Sequence, residues 1–289
     1  MKNQILSPSF ANWKLSDLMP LFASHRSLLR FKGTEAKSYL DRVLTCRTTD
    51  IEDGVCRFGA LLTPQGKIIS DLFVYGVGSE LMIDAPSSLV SDVQKRLTLL
   101  KLRADVQIEP VSDLQVYVSS ERPADSGLVF EDPRPGATLY RVLTSEAFAT
   151  EDDVAWASLR AENILPETVL DYDTVSTFPA DVNMDILGGV DYRKGCFIGQ
   201  EVASRMKRKS EARKRTLGLS GPKSLQKGDE ITSGETKIGD VLSWDGRCGL
   251  GLIRLDRLGK ALAQGATPEI QNQPVTLHIP DGIVVPDHE

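Results

Sequence analysis

Cys196 is the residue of this chain best placed to do chemistry. It stands between Gly195 and Gly199, where the backbone can bend tightly enough to leave a sulfur accessible. Arg193 and Lys194 precede it, Arg205 follows it, and the pattern predicts a helix over 200–209 that opens just after it. Positive neighbours and a helix N-terminus both favour the thiolate, the nucleophilic and metal-binding form of cysteine. A buried, inert thiol in a tight turn is the competing reading, because free cysteine is commonly core filler. The residues alone leave the two open.

The other candidates carry weaker signals. Cys46, Cys56 and Cys248 are scattered, with no C-x-x-C pair, so neither a disulfide framework nor a structural zinc site is expected. They read as core or near-surface filler; a cluster site drawing one ligand from each of the four cysteines lacks the usual local spacing. Lys207, Arg208, Lys209, Arg213, Lys214 and Arg215 form a basic run, either a solvated face or an anion site for a polyglutamate tail, a phosphate or an RNA backbone. No aromatic residue interleaves with these cations, which argues against direct nucleic-acid binding. Trp13 and Trp156 are most simply core residues, but Trp156 is the better placed to stack on a flat ring. His25, His278 and His288 lack a ligand-spaced partner, and no P-loop, nucleophile elbow or dinucleotide fingerprint is present.

The elements that must position Cys196 can be read from punctuation and period. A strand over 25–31 precedes a helix that Thr34 could cap, with Tyr39, Leu40, Val43 and Leu44 at helical spacing. Strands over 58–63 and 67–75 pair across a Thr63-Pro-Gln-Gly66 turn. A strand over 80–84 follows, then a helix opened by Pro86 with Leu89, Val93, Leu97 and Leu100 on one face. Further strands are expected over 106–111 and 114–119, an exposed loop over 121–136, a helix over 151–161 and an ordered loop over 170–183. From about Lys214, short strands alternate with Gly-rich turns as in a small β-barrel, and the tail beyond Ile279 reads as frayed. The order is that of an α+β protein.

Composition bounds the function. With 289 residues, 41% hydrophobic, the chain can bury a core without covalent staples. A net charge of −6 means that any anion-binding surface must be local. Scattered thiols indicate a reducing compartment, and the first 23 residues resemble neither a signal peptide nor an Arg-rich presequence. No apolar run is long enough to span a bilayer. A cytoplasmic location without a membrane partner is the resulting expectation.

Lys194-Gly-Cys-Phe-Ile-Gly-Gln-Glu201 followed by Arg205 resembles the K-G-C-[YF]-x-G-Q-E-x-x-x-R signature of the YgfZ family, a folate-binding branch related to the T-protein of the glycine cleavage system. The segments 178–183, 187–192, 61–68 and 213–215 extend the likeness over roughly residues 25–255. The resemblance implies an aminomethyltransferase-like, three-domain ring around a folate opening. Residues 1–210 would form the folate-binding region, as two interleaved α+β subdomains with 52–118 as a ferredoxin-like part, and 211–289 the C-terminal β-barrel. It implies tetrahydrofolate as cofactor, iron–sulfur client or carrier proteins as partners, and a role in assembling or repairing iron–sulfur clusters, including those of tRNA-modifying radical enzymes.

Cys196 would be the family's functional cysteine, with Trp156, Asp71, Asn183, Lys194 and Arg205 on the folate side. Arg26 stands where the family's first folate-side tryptophan is replaced. Ser70-Asp71-Leu72 stands where the T-protein has D-D-L, so one carboxylate is missing. Loss of a positioned acid or base costs about 10²–10⁴ in rate. The sequence therefore favours a folate-binding assembly factor over a tetrahydrofolate-dependent aminomethyltransferase, and either over a direct tRNA binder.

Overall fold

The structure is a computed structural model that describes residues 6–7, 21–22, 25–123, 127–147, 153–208, 213–222 and 224–286. Two short strands, β1 (Leu6–Ser7) and β2 (Leu21–Phe22), precede β3 (Arg26–Lys32) and helix α1 (Ala36–Val43). Then follow β4 (Cys56–Leu62), β5 (Ile68–Val77), β6 (Glu80–Pro86), α2 (Val90–Leu100) and β7 (Gln107–Val111). Strands β3 to β7 make one antiparallel sheet in the order β4-β5-β6-β3-β7. The alternation of side chains along these strands divides the interior in two. Leu29, Phe31, Leu72, Val74, Leu81 and Ile83 pack with α1 and α2 on one face; Leu28, Phe58, Phe73, Tyr75 and Met82 point to the other.

That other face meets a second sheet. It is built from β8 (Gln115–Ser119), β9 (Leu128–Glu131) and β10 (Tyr140–Thr144), in the order β2-β8-β10-β9. Helix α3 (Asp153–Glu162) and a long irregular segment complete this core before α4 (Gln200–Arg208). The remainder is β11 (Lys214–Ser220), β12 (Glu230–Ser233), β13 (Thr236–Trp244), β14 (Cys248–Arg254), α5 (Leu255–Ala263), β15 (Pro268–Ile270), β16 (Gln273–Pro274) and β17 (Thr276–His278). It forms an eight-stranded sheet with its own apolar core, which β1 joins by pairing parallel to β17.

Several expectations need correction. Thr34 does not cap α1; its amide and hydroxyl both bind the Asp105 carboxylate, at 3.2 and 2.7 Å. Pro86 closes β6 rather than opening α2. The stretch 121–136 is not simply an exposed loop, for it contains β9 and the buried Asp132 and Arg134. The unit expected over 52–118 takes in β3 from upstream and gives up β8 to the second sheet. Ile283 and Val285, in the tail that reads as frayed, pack on the barrel core. Trp13, His288 and Lys209 lie outside the described residues.

Between the two sheets lies an ion-pair lattice with no exposed side chain. Arg26 of β3 donates to Asp84 of β6 at 2.5 Å and to Asp71 of β5 at 3.1 Å. Arg141 of β10 crosses from the second sheet to Asp84 at 2.9 Å and to the Tyr75 hydroxyl at 2.7 Å. Arg134 clasps Asp132 through two nitrogens at 2.9 and 2.7 Å. All three guanidiniums lie over the Phe73 ring, Arg141 nearest at 3.5 Å from its centroid. Burial opposes the charge on Asp84, but Arg26 and Arg141 outweigh it and hold that carboxyl below its usual range. Asp132 is likewise held low by Arg134 and Arg141 against burial, and Glu167 well below by His25 and Arg26. Asp71 alone is raised, because burial exceeds the pull of Arg26.

Three depressed carboxyls against one raised set the sign of the pH response. Their stabilisation is in place above about pH 4, the unfolded value, and is lost as the pH falls through their lower folded values. Urea unfolding should therefore show stability declining from pH 7 toward about pH 3. At pH 7, Arg141→Met, which leaves Asp84 with Arg26 alone and Asp132 with Arg134 alone, should cost about 3 kcal/mol. A variant within about 1 kcal/mol of wild type would show that the lattice is dispensable.

Candidate functional site

Cys196 is displayed by a loop that is anchored on both sides of it. On the upstream side, the Asp191 amide bonds the Thr45 carbonyl at 3.0 Å, and the Thr45 hydroxyl bonds the Gly189 carbonyl at 2.6 Å. Lys194 is buried, with its ammonium on the carbonyls of Leu44 at 2.9 Å and Cys46 at 2.6 Å and 3.5 Å from Asp41. On the downstream side, Phe197 is buried in the core between the sheets. Gly199 has φ +78, and a Cβ there would come within 2.6 Å of the Thr63 carbonyl. Only glycine lets the loop lie this close to the hairpin turn. Between these anchors, Gly195 and Cys196 are exposed.

The other three thiols are buried. Burial pushes the thiols of Cys46 and Cys248 up to about 12 each, and that of Cys56 well above its ordinary value. The reading of these three as filler therefore holds. The accessible sulfur expected of Cys196 is present, and α4 begins four residues further on, at Gln200.

The cations expected around Cys196 divide differently. Lys194 is a structural fastener whose charge is turned inward, whereas Arg193 and Arg205 are exposed. Beside the loop is a cleft of about 810 Å³ whose lining includes Arg47, Asp50, Arg57, Asp191, Arg193 and Lys207. Arg47 pairs with Asp191 at 2.9 Å, and Lys207 lies 4.0 Å over the Tyr192 ring. A second hollow of about 710 Å³, lined by Gln200, Glu201 and Ser204, shares Tyr192 and Lys207 with the first. Four cations against two carboxylates make the cleft a local anion-attracting surface on a molecule of net charge −6. Of the basic run singled out in the sequence, Lys207 contributes to it. Arg215 is instead committed to Asp185 at 2.5 and 2.9 Å and to the Ala180 carbonyl at 2.9 Å. Sequence reasoning missed Arg47 and Arg57, which lie some 140 residues from the loop they face and carry no local signal.

The residues expected to hold folate are not gathered at Cys196. Arg26 and Asp71 are bound to each other inside the lattice. Asp71 also accepts from the Thr168 amide at 2.8 Å and the Tyr172 hydroxyl at 3.3 Å, so neither residue presents a free face to a pterin. Asn183, at φ 61, donates to the Thr216 carbonyl at 2.6 Å and clamps the irregular segment to the barrel. These assignments are corrected: Arg26 and Asp71 are consumed by structure, and Asn183 spends its amide nitrogen on the clamp while its Oδ1 is buried without a hydrogen-bond partner among the described residues.

Trp156 differs. It is buried on α3, 5.8 Å from the His25 ring, and among the described residues its indole nitrogen has no partner. Near it, Arg160 Nε and Asp171 Oδ1 lack a hydrogen-bond partner among the described residues, whereas Arg134 Nη1 and Glu167 Oε1 face each other in an ion pair at 3.6 Å. Unmet polar groups beside a tryptophan are what a flat polar ligand could satisfy, so the folate expectation is carried forward on Trp156 and not on Arg26 or Asp71.

Comparison with known proteins agrees with this architecture. A family model described as the CAF17 C-terminal beta-barrel domain matches residues 213–283, so the chain ends in a barrel of that type. The chain is 26% identical to the mitochondrial iron–sulfur cluster assembly factor IBA57 of Mus musculus, covering 89% of this chain and 83% of that protein. It is 24% identical to the Homo sapiens counterpart, over 81% and 76% respectively. The crystal structure of the glycine cleavage system aminomethyltransferase T from Bartonella henselae superposes with a TM-score of 0.64 at 15% identity, covering 90% of this chain and 84% of that one. The fold is thus aminomethyltransferase-like, as expected.

Both relatives are named as mitochondrial, and this overturns the expectation of a cytoplasmic location. That expectation rested on free thiols, which mark a reducing compartment but do not identify which one, and on a first stretch of sequence that resembles no signal peptide or Arg-rich presequence and a lack of spanning apolar runs.

The difference in accessibility between the four thiols is directly measurable. Iodoacetamide at neutral pH should label the native protein at Cys196 alone, and urea should expose Cys46, Cys56 and Cys248. Labelling of native Cys196→Ser protein at the wild-type rate, read by mass spectrometry, would contradict the arrangement.

Proposed function

We propose that this chain is an iron–sulfur cluster assembly factor of the YgfZ and IBA57 kind, with Cys196 as its working thiol. The observation that carries the reading is the display of one exposed cysteine between two buried anchors, Lys194 and Phe197, while the other three thiols are sealed. The names of the relatives supply the cargo. The chemistry is ligand exchange. Cys196 loses its proton to solvent as its sulfur bonds an iron of the cluster, and a ligand of the carrier or client protein leaves that iron; no redox change is required. Thiolate-bound clusters are anionic, and Arg47, Arg57, Arg193 and Lys207 attract such an assembly to the cleft beside the loop. The aminomethyltransferase alternative loses its support at Asp71, whose carboxylate is already bound by Arg26, Thr168 and Tyr172.

Complementation of cells lacking their own homologue tests this reading, with the activity of a four-iron enzyme as readout. Cys196→Ser should fail to restore activity and Cys248→Ser should restore it. Full rescue by Cys196→Ser would falsify the assignment.

Folate belongs to the same proposal through Trp156 and the unmet polar atoms of Arg160 and Asp171 near it. Tetrahydrofolate should quench tryptophan emission saturably in the wild type. Trp156→Phe, which keeps an aromatic core, should weaken binding roughly tenfold, through loss of the larger stacking face and the indole N–H. Absence of a saturable signal would remove folate from the reading and leave the role of Cys196 standing.

A further inference from the structure

Helix α2 ends in a way that the needs of folding do not explain. Its Val93 and Leu97 are buried, but Leu99 is 76% exposed, Leu100 40% and Leu102 85%. Leu102 is the first residue beyond the C-cap, Lys101, and has φ 50. That position of a helix favours glycine, because a Cβ is strained in the left-handed conformation. The chain thus places a leucine where glycine would be less strained, and then leaves its hydrocarbon in water. Strain together with apolar exposure in one residue points to a use outside the fold.

Charge indicates what that use is. Lys95, Arg96, Lys101 and Arg103 surround the leucines, with no carboxylate from 95 to 103, in a protein of net charge −6. Lys95 approaches Asp92 at 3.4 Å and Lys101 donates to the Val106 carbonyl at 2.7 Å, while Arg96 and Arg103 are exposed. A second copy docking through the same patch would set these four cations against four more. Leucines exposed to this degree project from the surface and do not line a groove, which suits entry between lipid chains.

We propose that the end of α2 is a reversible docking point for an anionic lipid surface. Leu99, Leu100 and Leu102 enter the boundary between headgroups and acyl chains, and the exposed cations Lys95, Arg96 and Arg103 face anionic headgroups. This does not depend on the reading of Cys196. It also departs from the expectation of no membrane partner. That expectation concerned spanning segments, and no helix among the described residues is long and apolar enough to cross a membrane. Peripheral binding needs no span.

Cosedimentation of the full chain with vesicles tests the proposal. Protein should pellet with phosphatidylcholine mixed with phosphatidylglycerol, remain soluble with phosphatidylcholine alone, and be released by salt as the headgroup attraction is screened. Leu99→Ser combined with Leu102→Gly should reduce binding about tenfold or more. Leu102→Gly alone should weaken it while leaving the thermal midpoint unchanged or higher, which separates lost docking from lost folding. Arg96→Glu with Arg103→Glu should remove the preference for the anionic vesicles. The proposal is overturned if wild type stays soluble with the mixed vesicles at low salt, or if the leucine variants pellet as wild type does. It is equally overturned if the leucines instead hold together a dimer that binds no lipid.

Discussion

The placement of the two sheets depends on one set of interactions, the charges sealed between them. Arg26, Asp71 and Asp84 come from the first sheet, Arg141 from the second, and Asp132, Arg134 and Glu167 from connecting segments. Taking these groups out of water costs several kcal/mol per ion, and only mutual pairing with good geometry offsets it. A planar guanidinium that meets a carboxylate, a tyrosine hydroxyl and an aromatic face at once tolerates little sliding, unlike a purely apolar interface. The lattice therefore constrains where β10 sits over β5 and β6.

The display of Cys196 follows from the opposite edge of the same sheet. Gly59 of β4 lacks a Cβ, which would fall 2.6 Å from the Cys46 sulfur, so the segment after α1 can lie directly on the strand. That proximity fixes the carbonyls of Leu44 and Cys46, and these carbonyls hold the ammonium of Lys194. The turn between β4 and β5 receives Gly199 and Val202 from the other end of the loop. Signature residues that look like a reactive cluster therefore divide the work. The lysine, the phenylalanine and the second glycine hold the backbone, and the cysteine is what they leave outside.

The fold is aminomethyltransferase-like, and the charged residues between its sheets are spent on one another. Asp71 is a lattice member, and Arg26 is its partner. A fold defines where a cavity can form but not which groups remain free within it. Among the described residues, the Trp156 indole nitrogen, Arg160 Nε and Asp171 Oδ1 are buried without a hydrogen-bond partner, and such atoms are more telling than the residues that match a motif, because each carries an unmet hydrogen bond.

Sequence by itself determined the local features. The Thr63–Gly66 turn, the strands β4, β5 and β6, the buried positions of α1 and the K-G-C-F-I-G-Q-E segment are all legible, because period and turn chemistry act within a few residues. Tertiary structure alone decided the partners. Arg26 meets Asp71 across 45 residues, Arg141 meets Asp84 across 57, Arg47 meets Asp191 across 144 and Lys194 meets Leu44 across 150. Periodicity reports which face a side chain joins. It carries no information about which distant charge waits on that face, and here that choice separates a ligand-binding aspartate from a structural one.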